Sequence, residues 1–445
     1  MTTARTLDLR GWLLGGARGR GALWVVWQRA APGIVGFTTV LVDGIAGGAY
    51  FPRAWRLTSF ALLAFALAAL IGRRSVALGR GERVFLGLVA AVTAWTAAST
   101  IWSDTSGTSI LEGERDIVYL SAVAAVLLCV RRESVPVLLG GVLAGITAVA
   151  GYGLFTYVIY DHPLNPIEGK LLFEPLGYAN GLGIYAAIGT LLAAGLALSL
   201  RPPLLRLVCL APVGILLPSL YLTGSRAAEL SLAAGLVVLV RFSRRLPRVV
   251  TGAFAAAAAA AVALVAAASL HQEHNVLSGL FGANRPHYWH VAWHEFRLNP
   301  VLGSGAGTFD RYWLLYRPVG SFARDAHSLY LETLAELGPI GLALLLAALA
   351  LPLLVLRGRR DPMLATAAAG YVAYLVHTGV DWDWELPVVT LCGLVCGSGL
   401  LLWARTRDAP ELRPWERAAL IVPAVALAIL VLVRLETGPK LPFAS

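Results

Sequence analysis

Long apolar runs alternate with short polar connections along almost the whole chain. A helix needs about 20 mostly apolar residues to cross a hydrocarbon core of about 30 Å. The pattern predicts an all-α fold, a polytopic transmembrane helix bundle with about 12–13 spans. The predicted spans lie at residues 32–51, 55–72, 84–101, 116–130, 135–160, 176–199, 203–223, 225–241, 249–270, 334–356, 363–380, 387–404 and 415–433. The first of them contains Asp43 and several glycines and is the weakest.

The composition agrees with a membrane protein. A mean hydropathy of +0.70 with 14% charged residues exceeds what a soluble domain of this length could bury. The net charge of +10 is spread over short clusters, which excludes a continuous nucleic-acid-binding stripe. The four cysteines lie within apolar runs and are interpreted as small core residues. Residues 1–29 contain five arginines but no signal-peptide pattern, so we expect an interfacial segment there and no removable signal peptide.

The arginines predict the orientation. Together with residues 1–29, every second connection between the apolar runs carries an arginine cluster, and this side holds 24 of the 36 basic residues. The positive-inside rule assigns it to the cytoplasm. We therefore expect a plasma-membrane protein with a cytoplasmic N-terminus. All eight histidines lie on the opposite, outer connections or, in the case of His377, near an outer helix end, so chemistry is expected on the outer face.

The longest polar stretch divides the chain into three parts. We expect a first part of the bundle at residues 1–270, an outer-face catalytic loop at 271–333, and the last part of the bundle at 334–445. A helix is predicted over residues 285–298, because Pro286 suits a first helical turn. His287, His290 and His294 share a face of that helix, where they could bind a metal or belong to an aromatic interfacial surface.

Two residues of this loop and one before it are candidates for chemistry. Arg226 stands at a predicted outer helix end, where it either binds a ligand or snorkels to the headgroups beside Glu229. Arg285 begins the loop helix. His327 stands at the entrance to the next helix with Asp325 two residues before it, a setting suited to proton exchange. The glycines at residues 303–307 lack a P-loop ending and predict a tight turn.

An acidic and aromatic turn at residues 381–385 contains Trp382 and Asp383. Aromatic faces stack on sugar rings and carboxylates accept hydroxyl hydrogen bonds, so a glycan site is one interpretation. The other is an interfacial tryptophan belt flanked by solvated acids.

These features, in this order, resemble the O-antigen ligase and O-antigen polymerase superfamily of membrane glycosyltransferases. The resemblance rests on Arg226 in TGSRAA, residues 285–293, the turn at residues 300–309, and His327 in AHSLYL followed by residues 336–341. It implies a donor glycan on a polyprenyl-pyrophosphate carrier and an acceptor hydroxyl on lipid, glycan or protein. It also implies that the active site lies on the outer face and that transfer inverts the anomeric carbon without a metal.

The resemblance further implies site roles. The arginines that match Arg226 and Arg285 hold the pyrophosphate, and the histidine that matches His327 assists the acceptor. Guanidinium groups can bind a pyrophosphate bidentately as it gains charge, and an imidazole can accept a hydroxyl proton. We expect no cofactor.

The remaining candidates for binding substrate are polar or aromatic residues close to these positions: Asp325, Tyr330, Trp382 and Asp383.

Two other functions are compatible with the sequence. A transporter or flippase of lipid-linked glycans would place ionisable residues near the middle of the membrane, whereas here nearly all of them lie in loops and at helix ends. A non-catalytic cell-envelope scaffold would not require Arg226, Arg285 and His327 to converge in space.

Overall fold

The computed structural model describes residues 20–160, 168–200, 202–243, 284–406 and 409–437. The predicted span at 249–270 lies outside these residues, as does the segment before residue 20. The described helices are α1 Arg20–Ile45, α2 Pro52–Gly72, α3 Arg80–Ala98, α4 Ser106–Cys129, α5 Val135–Ile159, α6 Ala179–Ser199, α7 Pro203–Leu210, α8 Val213–Thr223, α9 Arg226–Phe242, α10 Arg285–Leu298, α11 Phe309–Tyr316, α12 Leu329–Ala350, α13 Pro362–His377, α14 Pro387–Ala404 and α15 Pro414–Thr437.

The all-α prediction is confirmed. Each predicted span within the described residues coincides with one helix or, at residues 203–223, with two. In the part of the chain that the structure describes, eight helical segments are long and apolar enough to cross a membrane. They are Pro52–Gly72, Arg80–Ile101, Arg132–Ile159, Ala179–Ser199, Pro203–Thr223, Leu329–Leu356, Pro387–Ala404 and Pro414–Thr437.

Prolines and glycines set the interruptions. Pro212 stands between α7 and α8, where it lacks the N–H that a continuous helix would need, so one helical hydrogen bond is missing although the backbone angles of Pro212 stay helical. Gly338 interrupts α12 with a φ of 67°, a left-handed value that glycine adopts without steric cost, and Pro339 follows it. α12 is therefore two helical pieces joined at a bend.

α4 begins ten residues earlier than the span predicted at 116–130, so most of the connection left between that span and the one predicted at 84–101 is helical. Glu114 and Arg115 in the first half of α4 are buried, and they have partners from other elements. Glu114 accepts from Arg56 of α2 at 2.6 Å, and it also pairs with Arg434 of α15. Such partners offset part of the cost of removing charges from water. The local sequence shows the charges but not their partners.

α6 and α14 form the centre of the bundle. In the most apolar 18-residue stretches of α6 and α14, 89% and 83% of the residues are buried. In the corresponding stretch of α15, at the periphery, only 6% are buried. Glycines allow the close approach of neighbouring helices: a Cβ at Gly195 of α6 would lie 2.4 Å from the side chain of Thr366 in α13. Small residues have this role in many membrane helix interfaces.

The bundle has two chemically different ends. At one, which we call the arginine end, the connections at residues 73–79, 130–134 and 357–361 meet residues 405–406 and 409–413, and Arg405 pairs with Glu82 at 2.7 Å. At the other, which we call the polar end, the connections at residues 46–51, 99–105, 168–178, 224–225, 299–328 and 378–386 meet. The arginine clusters in these four connections, which the sequence grouped on one side, thus lie together as far as their residues are described.

The described part of the long loop forms a small folded unit at the polar end. Helix α10 covers Arg285–Leu298, as predicted from the sequence, and α11 covers Phe309–Tyr316. Their apolar faces share a second core that also includes Ala335 of α12. Its buried members are Tyr288, Val291, Ala292, Phe309, Trp313, Ala323, Ala326 and Ala335. Because this core is shared with α12, the unit holds the residues before α12 in a fixed place.

Candidate active site at the polar end

Arg285 meets a buried carboxylate from a distant part of the chain. Its Nη2 forms an ion pair with Oδ2 of Asp381, which lies 96 residues later in the connection between α13 and α14. The other carboxylate oxygen of Asp381 accepts the hydroxyl of Tyr178 at 2.6 Å and the N–H of Trp382 at 2.8 Å. Asn180 donates in turn to the Tyr178 hydroxyl at 2.8 Å. Asp381 therefore fixes the position of the guanidinium group.

Several neighbouring groups, with Arg285 the strongest of them, decide the ionisation of Asp381. Burial is the largest single effect and raises the pKa of this carboxyl group, but Arg285, His377, His327 and the Tyr178 hydrogen bond all lower it and together outweigh burial. The pKa of Asp381 is consequently lower than its ordinary value. Asp381 is a carboxylate at neutral pH.

His327 is held between α10 and the loop backbone. Its ring stacks on Tyr288 with 4.7 Å between the ring centroids, and Trp289 donates its indole N–H to the His327 carbonyl at 3.4 Å. The backbone of His327 has a φ of 54°, the left-handed region that non-glycine residues seldom adopt. Residues in such conformations are held by their surroundings and are frequent at functional sites.

The hydrogen bond of the ring sets its tautomer. Nδ1 of His327 lies 3.0 Å from the carbonyl oxygen of Asp325, and a carbonyl only accepts, so Nδ1 carries the proton. Nε2 of the neutral ring is then a hydrogen-bond acceptor. Burial lowers the pKa of His327 to about 4, while Asp381 opposes this and Arg285 reinforces it. Arg285, Asp381 and His327 thus form one electrostatic unit.

Arg226 lies at the same end of the bundle. It is the exposed first residue of α9, after Gly224 with a φ of 61° and the helix-capping Ser225, whose hydroxyl accepts the N–H of Ala228. The N-terminal turn of α6 packs on this cap, since a Cβ at Gly183 would lie 2.9 Å from that of Ser225. The structure therefore brings Arg226 to the polar end, whereas Arg285 and His327 share Asp381 as a common neighbour.

Asp325 and Tyr330, two expected substrate-binding residues, have structural partners. The Asp325 side chain is buried, and burial and then the Glu385 carboxylate raise its pKa well above the usual range against the opposing Arg324 and Arg115. Its backbone carbonyl, not its carboxyl group, contacts the His327 ring. The Tyr330 hydroxyl donates to the carbonyl of Leu375 at 2.7 Å and so joins α12 to α13.

Trp382 and Asp383, the other two expected substrate-binding residues, differ in their burial and contacts. Trp382 is half-buried and its ring lies 4.6 Å from that of Tyr178 and 5.9 Å from that of Tyr50. Asp383 is fully buried, 3.0 Å from Nδ1 of His377. The interfacial-belt interpretation required solvated acids, whereas the acids of this turn are buried. Trp382 lies directly beside the partner of Arg285.

The glycine-rich segment forms a turn, as expected from the sequence. Its amides are already used: Gly307 and Phe309 donate their N–H groups to the Glu336 carboxylate at 2.8 and 2.9 Å. Gly305 has a φ of 107°, and a Cβ there would lie 2.3 Å from the side chain of Ser103. The turn therefore joins the loop to α12 and does not present its amides to a phosphate.

Sequence reasoning missed the partners of the site. It included Asp381 in the acidic turn but did not assign it to Arg285, and it did not single out Tyr178 or Asn180. It also missed Arg115 and Arg324, which lie beside Asp325. The only available signal was that Asp381 and Arg285 border predicted outer helix ends.

The fold and the site define a polytopic α-helical membrane protein with an arginine, carboxylate and histidine group at one end. A family model described as O-antigen ligase matches residues 211–346, a range that contains Arg226, Arg285 and His327. The chain is also similar to the exopolysaccharide production protein ExoQ of Rhizobium meliloti (strain 1021). That relative is 26% identical over 275 residues, which cover 57% of this chain and 61% of the relative. The resemblance to the O-antigen ligase and polymerase superfamily is confirmed.

Proposed function

We propose that this protein is a glycosyltransferase that moves a glycan from a polyprenyl-pyrophosphate carrier to an acceptor hydroxyl on the outer face of the plasma membrane. One observation carries the proposal: Arg285 and His327 lie around Asp381, and both arginine and histidine fall within the region similar to O-antigen ligases. A scaffold would not require this convergence. The positive-inside rule assigns the arginine end to the cytoplasm, so the polar end would lie on the outer face.

The donor would bind through its pyrophosphate. Arg285 is held by Asp381, which is itself fixed by Tyr178, so the guanidinium group is oriented before the donor arrives. Arg226 supplies the second guanidinium group from α9. As the bond between the anomeric carbon and the phosphate oxygen breaks, the pyrophosphate takes up the electron pair, and the two cations stabilise the added negative charge.

His327 would act on the acceptor. Its Nδ1 is bound to a carbonyl, so Nε2 has the lone pair that can take the acceptor hydroxyl proton while the oxygen attacks the anomeric carbon. Attack opposite to the leaving pyrophosphate inverts the configuration at that carbon. No metal is required in this scheme, because the guanidinium groups supply the positive charge.

Ligases and polymerases, the two branches of the superfamily, differ in the acceptor to which the glycan is transferred. The ExoQ relative is an exopolysaccharide production protein, and this supports a polysaccharide product. Addition to another repeat unit would make the protein a polymerase, and a single transfer to lipid or protein would make it a ligase. The length distribution of the product distinguishes these cases.

Glycan transfer in membranes with matched protein levels tests the proposal. Arg226→Ala, Arg285→Ala and His327→Ala are expected to abolish transfer while the protein remains inserted. Arg297→Ala and His290→Ala are suitable controls, because both residues are exposed on α10 and have the same chemistry as the site residues. Full activity of all three site variants would overturn the proposal.

A further inference from the structure

A second polar group lies on the other side of the His327 loop. Asp325, Glu332 and Glu385 each place a carboxylate oxygen within 4.8 Å of the other two. They are 6%, 7% and 4% exposed, and they come from the loop, from α12 and from the turn before α14. Three separate elements thus bring negative charge to one buried point.

The nearby arginines pair with one oxygen of Glu385 and with Glu112, which lies outside the cluster. Arg115 lies 2.5 Å from Oε1 of Glu385 and 2.9 Å from Glu112, and Arg324 lies 3.3 Å from Glu112. Within the described chain, no ion pair reaches Asp325 or Glu332. A buried carboxylate is costly unless it is protonated, paired or bound to a metal.

Glu385 also has an oxygen without a hydrogen-bond partner. Its Oε2 is buried and accepts no hydrogen bond from any described residue. Glu332 and Glu385 both line a cavity of about 140 Å³ between α3, α4, α12 and α14. That volume accommodates several waters, since one water needs at least about 10–15 Å³ on the same measure. The group therefore has an open ligand oxygen and room for further oxygen ligands.

We propose that Asp325, Glu332 and Glu385 bind a divalent cation of the Ca²⁺ type. Ca²⁺ takes oxygen ligands at about 2.3–2.6 Å, so two ligands on opposite sides of the ion lie at most about 5 Å apart. The separations of these oxygens fall within that limit. Water from the adjoining cavity completes the coordination.

The ion joins the His327 loop to α12 and to the turn before α14. Asp325 stands two residues before His327, whose left-handed backbone requires support from its surroundings. The cation does not touch the donor or the acceptor. It is a structural tie that keeps the histidine in place, and the transfer chemistry stays with the arginines and His327.

Terbium luminescence tests the site on the full-length protein in detergent after treatment with EDTA. Tb³⁺ substitutes for Ca²⁺, and Trp384, next to Glu385 and on the cavity wall, can sensitise its emission. We expect wild-type protein to show sensitised Tb³⁺ emission that added Ca²⁺ displaces. Because Ca²⁺ affinity depends on the number of charged ligands, Glu385→Gln and Glu332→Gln should each weaken binding by about tenfold or more.

Glu416→Gln is the control, because Glu416 lies at the arginine end, paired with Arg83 at 2.5 Å. It should bind Tb³⁺ and Ca²⁺ as the wild type does. Wild-type protein that shows no displaceable Tb³⁺ at millimolar concentration would overturn the proposal, and protons would then neutralise the cluster. Unchanged affinity in both glutamine variants would overturn it equally.

Unfolding temperature gives a second measurement that does not depend on any variant. Calcium that binds only the folded protein raises the unfolding midpoint of the EDTA-treated wild type. No shift at saturating Ca²⁺ contradicts the proposal. Neither measurement needs a glycan donor, so a failure here is distinguishable from a failure of the transfer assay.

Discussion

A buried carboxyl group lies near each end of helix α10, and the pKa values of the two groups are shifted in opposite directions. At its first residue, Arg285 pairs with Asp381 and the pKa of that carboxyl group is lowered. Three turns later, Glu295 is fully buried but meets only hydroxyl groups, those of Ser304 at 2.6 Å and Thr308 at 3.0 Å. Burial raises the pKa of Glu295 to about 7, although these two hydrogen bonds oppose the rise.

The comparison shows what nearby positive charge, above all that of Arg285, changes for a buried carboxyl group. Both carboxyl groups lose their hydration, but a neighbouring positive charge compensates a buried carboxylate more than neutral donors do. The end of α10 with Arg285 is therefore a place for charged chemistry. The end with Glu295 joins the loop to the 303–308 turn and holds a proton near neutral pH.

The largest expected effect comes from removing the histidine beside the charged pair. His327→Ala should lower transfer by about 10²–10⁴-fold, the range for loss of a general base. His290→Ala, on the exposed face of α10, should retain activity. Transfer rates at equal membrane protein levels measure both. Equal losses in the two variants would show that the histidine effect is not specific to the site.

Asp381→Asn removes the charge from the carboxyl group that pairs with Arg285. It leaves the Arg285 side chain, 14% exposed, without its counter-ion, and loss of one partner of a buried pair costs up to about 3–5 kcal/mol. We expect a lower unfolding midpoint together with a loss of transfer. Asp310→Asn on the half-exposed face of α11 is a control. Unchanged stability of Asp381→Asn would show that Arg285 does not depend on this carboxylate.

Glu295→Gln tests the neutral end. The pKa of Glu295 is about 7 in the folded protein and 4.5 as its ordinary value, so the unfolded chain releases this proton first as the pH rises. The group's contribution to stability is complete below pH 4.5 and is lost by about pH 7. The slope is at most about 1.4 kcal/mol per pH unit.

Thermal unfolding of wild type and Glu295→Gln across that pH range measures this effect. The wild type should lose stability as the pH rises, and the variant, which cannot ionise, should lose less. Parallel curves for the two proteins would contradict the assignment of a raised pKa to Glu295.

The smallest expected effect is that of Tyr178→Phe. This change removes the hydrogen bond to Asp381 and the one accepted from Asn180, each worth about 0.5–1.5 kcal/mol, and keeps the ring on Trp382. We expect a small decrease in unfolding midpoint and a modest decrease in transfer. Tyr152→Phe, at a 53% exposed position in α5, is the control. A loss as large as that of Asp381→Asn would mean that Tyr178 has a further role.

Several elements of the site were predictable because they depend on local sequence. The helix from Arg285 to Leu298 followed from Pro286 and the residues after it, and the helix entrance at His327 followed from the apolar run beyond it. The turn at residues 303–307 followed from its glycines. The break at Pro212 and the early start of α4 did not, since the first was hidden by continuous hydropathy and the second by charged residues whose partners are distant.

The sequence by itself determined the helices, their apolar lengths and the grouping of arginines at one end, because hydropathy and charge act over a few residues at a time. Only the tertiary structure decided which charges meet. Asp381 pairs with Arg285, 96 residues away in the sequence, whereas Asp325 lies beside Glu332 and Glu385. In the sequence these four acidic residues look alike, because each lies near a predicted helix end. Helix packing sets these neighbours, and the free energy of a buried charge depends on the groups within a few ångströms of it.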